Sequence, residues 1–298
     1  MGLWKTQKKA FLAAAIGISL LTGASAVYAA PPQTEAAYEQ EDLNEQLVMA
    51  LAWTQNAAEY RELCYQGYNC VNMEVDKAVA NWKKGDKPLA IVMDCDETII
   101  DNSACEAGYV GNNNAYGDDL WNKWCAAAKA DAMPGAVECL QKVAKQGVEV
   151  FYVTNRKHAT TYEGTAKNMK ELGFPMVDKK HLLLKTDTSN KQVRFDQIAK
   201  DYHIVVFMGD NAGDLPIGTY HKSQKDRNAI VDKHKAEFGT RFVVFPNPQY
   251  GDWESALAEG GGPTYWKLSP KQKSDLRKKM LKTWKPDGTG TIQQQDKK

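Results

Sequence analysis

Apolar and polar positions alternate along this chain in blocks that predict its elements. After a polar stretch rich in Pro and Glu, residues 44–82 carry Leu47, Leu51, Trp53, Ala57 and Tyr60 at helical spacing on a broad face, a helical lead-in. The breaker Lys83-Lys84-Gly85-Asp86-Lys87-Pro88 ends it, and the continuous apolar run Leu89 to Met93 follows. A run without polar alternation suits a strand buried on both faces. Glu149 to Val153, Ile204 to Met208 and Arg241 to Phe245 repeat the pattern, rich in Val, Ile and Phe. Helical patterns at Gly135 to Gln146, Thr161 to Leu172 and Gln192 to Lys200 separate them. Strands alternating with helices predict an α/β fold, a doubly wound parallel sheet over residues 87–262. Its active site belongs outside the carboxyl ends of the strands. No internal repeat is visible.

The ends of the chain read differently. Lys5, Lys8 and Lys9 precede an apolar run from Ala10 to Leu21, and Ala24-Ser25-Ala26 and Val27-Tyr28-Ala29 offer cleavage sites. Residues 1–30 therefore read as a cleaved export signal, with residues 31–86 a helical extension. The run is too short to span a bilayer, and no other stretch approaches the roughly 18 to 20 apolar residues a membrane helix needs. Removing three of 38 basic residues leaves 35 against 37 acidic ones, near −2. Nothing in that balance suggests a nucleic-acid surface. The lysines of residues 263–298 are interleaved with Gln, Asp, Pro and Gly, which predicts a solvated, partly disordered polar tail.

All six cysteines, Cys64, Cys70, Cys95, Cys105, Cys125 and Cys139, lie beyond the signal, where an oxidising compartment permits disulfides. Cys64 with Cys70 is the favoured pair, because Gln66-Gly67-Tyr68-Asn69 reads as a turn between two helices. Cys95, at the end of an apolar strand, reads as a buried thiol.

Chemistry enters with the acids. Asp94-Cys95-Asp96-Glu97-Thr98 directly follows the first strand, and Gly209-Asp210-Asn211-Ala212-Gly213-Asp214 follows the run Ile204 to Met208. On an extended segment, residues two apart share a face, so Asp94 and Asp96 face one pocket while Cys95 turns into the core. A spacing of four similarly puts Asp210 and Asp214 on one side of a helical turn. At about 4 Å and an effective dielectric near 20, each ionised pair costs on the order of 4 kcal/mol, so the site requires a cation. Hard oxygen donors without His or Cys favour magnesium.

These residues resemble the four motifs of the haloacid-dehalogenase phosphatases: Asp94-x-Asp96-x-Thr98, Thr154 at a strand end, Lys191 before a helix, and Gly209-Asp210 with Asp214. Asp101-Asn102-Ser103, Pro134-Gly135-Ala136, Thr154-Asn155-Arg156-Lys157, Ser189-Asn190-Lys191, Pro246-Asn247 and Tyr250-Gly251-Asp252-Trp253-Glu254 further resemble the bacterial class C acid phosphatases, also called outer-membrane lipoprotein e phosphatases. The resemblance runs from about residue 40 to 257. It implies a non-specific acid phosphatase with Mg2+ as cofactor. Asp94 would be the nucleophile and Asp96 the general acid and base. Thr154 and Lys191 would hold the phosphate oxygens, and Asp94, the Asp96 carbonyl and Asp210 would hold the metal, with Asp214 supporting it. Lys185 also lies between the second and fourth motifs, but Lys191 matches the family's Ser-Asn-Lys pattern.

Residues 101–133 read as a cap, with a helix over Asp118 to Lys129 carrying Trp121 and Trp124. By resemblance, Trp121 and Tyr250 sandwich the aromatic part of the substrate, which implies activity on nucleoside monophosphates and aryl phosphates. Trp124 is read as packing the cap onto the core. Asn155 and Arg156 are candidates to reach the substrate, with a surface position the alternative for Arg156. His158 is read as a solvated loop histidine, and the five histidines share no metal-like spacing. Many relatives carry a lipid on a cysteine after the signal, whereas Leu21-Thr22-Gly23-Ala24 has none, so a periplasmic or secreted enzyme is expected. Dimers occur among such relatives, and no sequence feature specifies an interface. The competing readings are a narrower 5'-nucleotidase, a phosphotransferase, and a non-enzymatic protein carrying a ligand such as haem.

Overall fold

The computed structural model describes residues 37–290, so the anticipated signal and positions 291–298 lie outside the described residues. Among the described residues there are seven strands: β1 (Leu89–Met93), β2 (Ile100–Asp101), β3 (Asp131–Ala132), β4 (Glu149–Lys157), β5 (Leu182–Lys185), β6 (His203–Gly209) and β7 (Phe242–Val244). Five of them form one sheet in the order β5-β4-β1-β6-β7, every neighbour parallel. The chain leaves β1 to build β4 and β5 on one side, then returns to build β6 and β7 on the other. That reversal puts a switch point at the carboxyl end of β1, where such sheets form their ligand crevice.

Both faces of β1 are buried, as its unbroken apolar run requires. Leu89, Ile91 and Met93 join a core with Tyr60, Cys64, Tyr68 and Val71, whereas Ala90 and Val92 face Phe195, Ile198 and Phe207 on the other side. The helical lead-in divides into α1 (Gln40–Asn44), α2 (Val48–Asn56) and α3 (Ala58–Asn81), broken where Ala57 turns extended. The tetrapeptide expected to be a turn, Gln66 to Asn69, lies inside α3. Gly67 explains why: a Cβ there would meet the Phe245 ring at 2.9 Å, so glycine lets the helix lie directly on the sheet. The favoured disulfide is overturned by the same helix. Six residues of helix put Cys64 and Cys70 about 9 Å apart along the axis, beyond a disulfide's reach. All six cysteines are free, and Cys95 is fully buried.

Residues 102–133 rise above the sheet on β2 and β3, which pair antiparallel. They carry α4 (Ser103–Ala107) and α5 (Asp118–Ala127), the latter ending two residues short of expectation because Ala128 takes a left-handed conformation, φ 51°. Beyond them, α6 (Ala136–Lys145) packs on α3, and α7 (His158–Leu172) meets α5. The remaining helices are α8 (Gln192–Asp201), α9 (Gln224–Lys233), α10 (Asp252–Ser255), α11 (Gly262–Tyr265) and α12 (Pro270–Lys279).

The expected solvated tail is also corrected over residues 263–290, because α11 and α12 fold back onto the body. Tyr265 is buried and its hydroxyl donates to Glu254, which also receives Arg277. Arg277 reaches Gln46 at 2.8 Å, and Gln46 in turn donates to Ser274 at 2.8 Å. Buried beside this network, Glu106 of α4 is pushed up to about 7 by burial first and by the Glu254 charge second. A carboxyl whose folded value lies above its ordinary 4.5 gives stability that is complete below that pH and lost as pH rises through about 7. The loss is at most about 3 kcal/mol. Wild-type Tm should therefore fall more between pH 5 and pH 8 than that of Glu106→Gln; equal slopes would clear this carboxyl.

Candidate active site

The site is assembled where β1, β4 and β6 end. Asp94 continues the ladder past β1, its amide donating to the Met208 carbonyl at 3.0 Å. A tight turn follows, in which the Cys95 carbonyl accepts from Ile99 and Ile100, each at 2.9 Å, and Glu97 is left-handed at φ 52°. Asp94 consequently faces the crevice, 8% exposed, while Cys95 points inward. A non-glycine residue at such a φ is costly and persists only where its surroundings hold it. Glu97 is held by its buried carboxylate, which accepts the Asn102 amide at 2.8 Å and the Tyr250 hydroxyl.

At the end of β6, Gly209 lets the next turn fold back tightly. A Cβ there would meet the Asp214 carboxylate at 2.6 Å. The 3₁₀ turn Ala212–Asp214 is capped by Asn211, whose amide donates to Asp214 at 2.9 Å. Asp210 accepts from Asn247 at 2.9 Å and Thr98 at 3.3 Å. Asp94, Asp210 and Asp214 thereby present carboxylate oxygens all within 4.8 Å of one another. Lys191, just before α8 and 3% exposed, bonds to Asp94 and lies 2.7 Å from Asp214. Lys185 instead approaches Ser189 at 3.4 Å.

The electrostatics are those of an anionic site with one fixed cation. Burial pushes the Asp94 carboxyl up to about 7; Lys191 pulls against this, and Asp214 and Asp96 add to it. Asp210 lies well above its ordinary range, through burial first and then Asp214 and Asp94. Burial opposes the charge of Lys191, yet Asp214 and Asp94 hold it above its usual value. One ammonium thus faces three carboxyl groups. A divalent ion fits this donor set, which is all oxygen and short of positive charge.

Asp96 stands outside that group of three. Its Oδ1 accepts from Arg156 and Asn102, and Thr154 Oγ1 lies 3.4 Å from its Oδ2. Trp121 is half-buried on α5, its ring 5.2 Å from the Arg156 guanidinium. Tyr250 is half-buried too and tethered through its hydroxyl. Trp124 donates its indole N–H to Asn102 at 2.8 Å, which ties α5 to the start of the cap just after β2. Asn155 is exposed, but its amide binds the Ser189 carbonyl at 3.0 Å and Arg194 at 2.7 Å, bracing the segment that delivers Lys191. The surface alternative for Arg156 is overturned, since it is 2% exposed. His158 is exposed and packs on Tyr162.

A parallel five-stranded sheet with acidic turns after β1 and β6, and a buried lysine between them, defines a hydrolase of the haloacid-dehalogenase type. The sequence matches the model of the HAD superfamily, subfamily IIIB (acid phosphatase), over residues 14–253, and the chain belongs to that family. It is similar to the solved class C acid phosphatase from Bacillus anthracis, with 38% identity, 82% of this chain and 99% of that chain covered, and a TM-score of 0.76. A crystal structure of the class C acid phosphatase from Bacillus anthracis with tungstate bound matches at 39% identity, with the same coverage and TM-score. The protein is thus a phosphatase acting on small phosphate esters, and phosphatases of this superfamily generally use a divalent metal. No helix among the described residues is long and apolar enough to cross a membrane.

Proposed function

We propose that this protein is an exported, Mg2+-dependent acid phosphatase that hydrolyses nucleoside monophosphates and aryl phosphates through an aspartyl-phosphate. The observation that carries this reading is Asp94 at the switch point, facing Lys191 and sharing its crevice with Asp210 and Asp214. An Asp94 oxygen attacks phosphorus in line as the bond to the leaving oxygen breaks. Asp96 gives its proton to that oxygen, then takes one from the water that hydrolyses the acyl-phosphate. Lys191 and Thr154 hold the phosphate oxygens where charge develops. Asp94, Asp210 and the Asp96 carbonyl would hold Mg2+, with Asp214 in support; the bound ion supplies positive charge for the phosphate and relieves carboxylate repulsion. The Bacillus anthracis relative has been solved with tungstate bound, and tungstate is a tetrahedral oxyanion like phosphate.

Trp121 and Tyr250 are the substrate-ring contacts in this reading, and such stacking tolerates any base. The apolar run Ala10 to Leu21 after three lysines supports export to the periplasm or medium. The test is hydrolysis of p-nitrophenyl phosphate and 5'-AMP with Mg2+ or with EDTA. Both esters should be cleaved, and chelation should remove at least about 100-fold of the rate, as expected where an ion neutralises transferring phosphate. Phosphoryl transfer to an added alcohol that exceeds hydrolysis would reassign the protein to the phosphotransferases. No cleavage with metal supplied would end the enzymatic reading.

A further inference from the structure

We propose that Arg156 is the positioning residue of Asp96, fixing which carboxyl oxygen carries the catalytic proton. The inference rests on the general acid and base role given above to Asp96. Arg156 closes the second motif but cannot meet a substrate, because it is 2% exposed and lies beneath the Trp121 ring. Its guanidinium is spent inside the protein. Nε and Nη2 both donate to Asp96 Oδ1, at 2.9 and 2.7 Å, Nη1 donates to Thr165 Oγ1 at 3.0 Å, and Nη2 also reaches Asn102 Oδ1 at 3.1 Å. Asn102 adds a third donor to the same Asp96 oxygen, at 2.9 Å, and is itself held by the Trp124 indole.

An oxygen that already accepts three N–H groups has no room for a proton. The proton of Asp96 therefore resides on Oδ2, the oxygen beside Thr154. The fork fixes two things at once: the plane of the carboxyl group, and the identity of the oxygen left without an N–H donor. In the first half-reaction the Asp94–phosphorus bond forms, the bond to the leaving oxygen breaks, and the Oδ2 proton passes to that oxygen. In the second, Oδ2 takes a proton from water as the acyl-phosphate is hydrolysed. Without the fork, Asp96 keeps its place in the turn after β1 but loses its aim.

Aim matters only where a proton must be delivered. An alkyl phosphate such as glycerol 2-phosphate leaves as a strongly basic alkoxide unless protonated, whereas p-nitrophenolate leaves readily as the anion. Because kcat/KM reports the first phosphoryl transfer, Arg156→Gln should lower it about 100-fold for glycerol 2-phosphate and less than about fivefold for p-nitrophenyl phosphate. Asp96→Asn should show the same split, enlarged to about 1,000-fold. The double variant should be no worse than Asp96→Asn alone, the signature of two residues acting through one group. Arg156→Lys keeps the buried charge without the fork, and should retain a split of about tenfold; if Arg156→Gln does not fold, the decision rests on Arg156→Lys. Absence of a split in Asp96→Asn would sink the role of Asp96. A split there, combined with equal losses on both esters in the Arg156 variants, or with additive losses in the double variant, would overturn the positioning role alone.

Discussion

Asp94→Asn should abolish turnover of both p-nitrophenyl phosphate and 5'-AMP while leaving the fold intact. The amide has nearly the shape of the carboxylate but no lone pair of comparable nucleophilicity, so no acyl-phosphate can form. Removing a covalent nucleophile costs on the order of 10⁴ to 10⁶ in kcat. Stability should not suffer. Burial already disfavours the Asp94 charge, a neutral amide ends its repulsion with Asp214 and Asp96, and Lys191 keeps Asp214 at 2.7 Å. Steady-state rates with thermal melts check this, and acid-quenched wild type should carry a phosphoryl group on the Asp94 peptide by mass spectrometry. A folded variant retaining a tenth of wild-type kcat would exclude Asp94 as nucleophile.

Lys191→Met should cost both catalysis and stability. The side chain is 3% exposed and is the ammonium that faces Asp94 and Asp214. Its loss removes a fixed positive charge from the phosphate site, worth about 10² to 10³ in kcat/KM. It also strands two buried carboxyl groups, and breaking a buried ion pair costs about 3 to 5 kcal/mol. Those carboxyls face the metal cluster, so Mg2+ should raise the Tm of the variant more than that of wild type, as mass action on a more anionic site requires. Unchanged kcat/KM together with an unchanged melt would assign Lys191 no part in the site.

Much of the scaffold was legible in the sequence because its signals are local. Continuous apolar runs marked β1, β4, β6 and β7, since a strand covered on both faces has no polar alternation to confuse it. The orientation of Asp94 and Cys95 followed from the twofold period of an extended chain, and the spacing of Asp210 and Asp214 from that of a turn. By contrast, β5 is a four-residue edge strand, too short for a pattern, and half of it is only partly buried. The Gly67 segment read as a turn because a glycine's local preference says nothing about the Phe245 ring that only glycine can approach.

The sequence by itself therefore determined the parallel sheet, the acids at its carboxyl edge and the demand those acids make for a cation. Which side chains answer one another was decided by tertiary structure alone. Lys191 meets Asp94 across 97 positions of chain, and Arg156 meets Asp96 across 60. The tail closes on the turn just after α1, where Arg277 meets Gln46 across 231. No periodicity encodes such pairings. They arise because buried charges and donors must find partners once the core has brought distant strands and helices together.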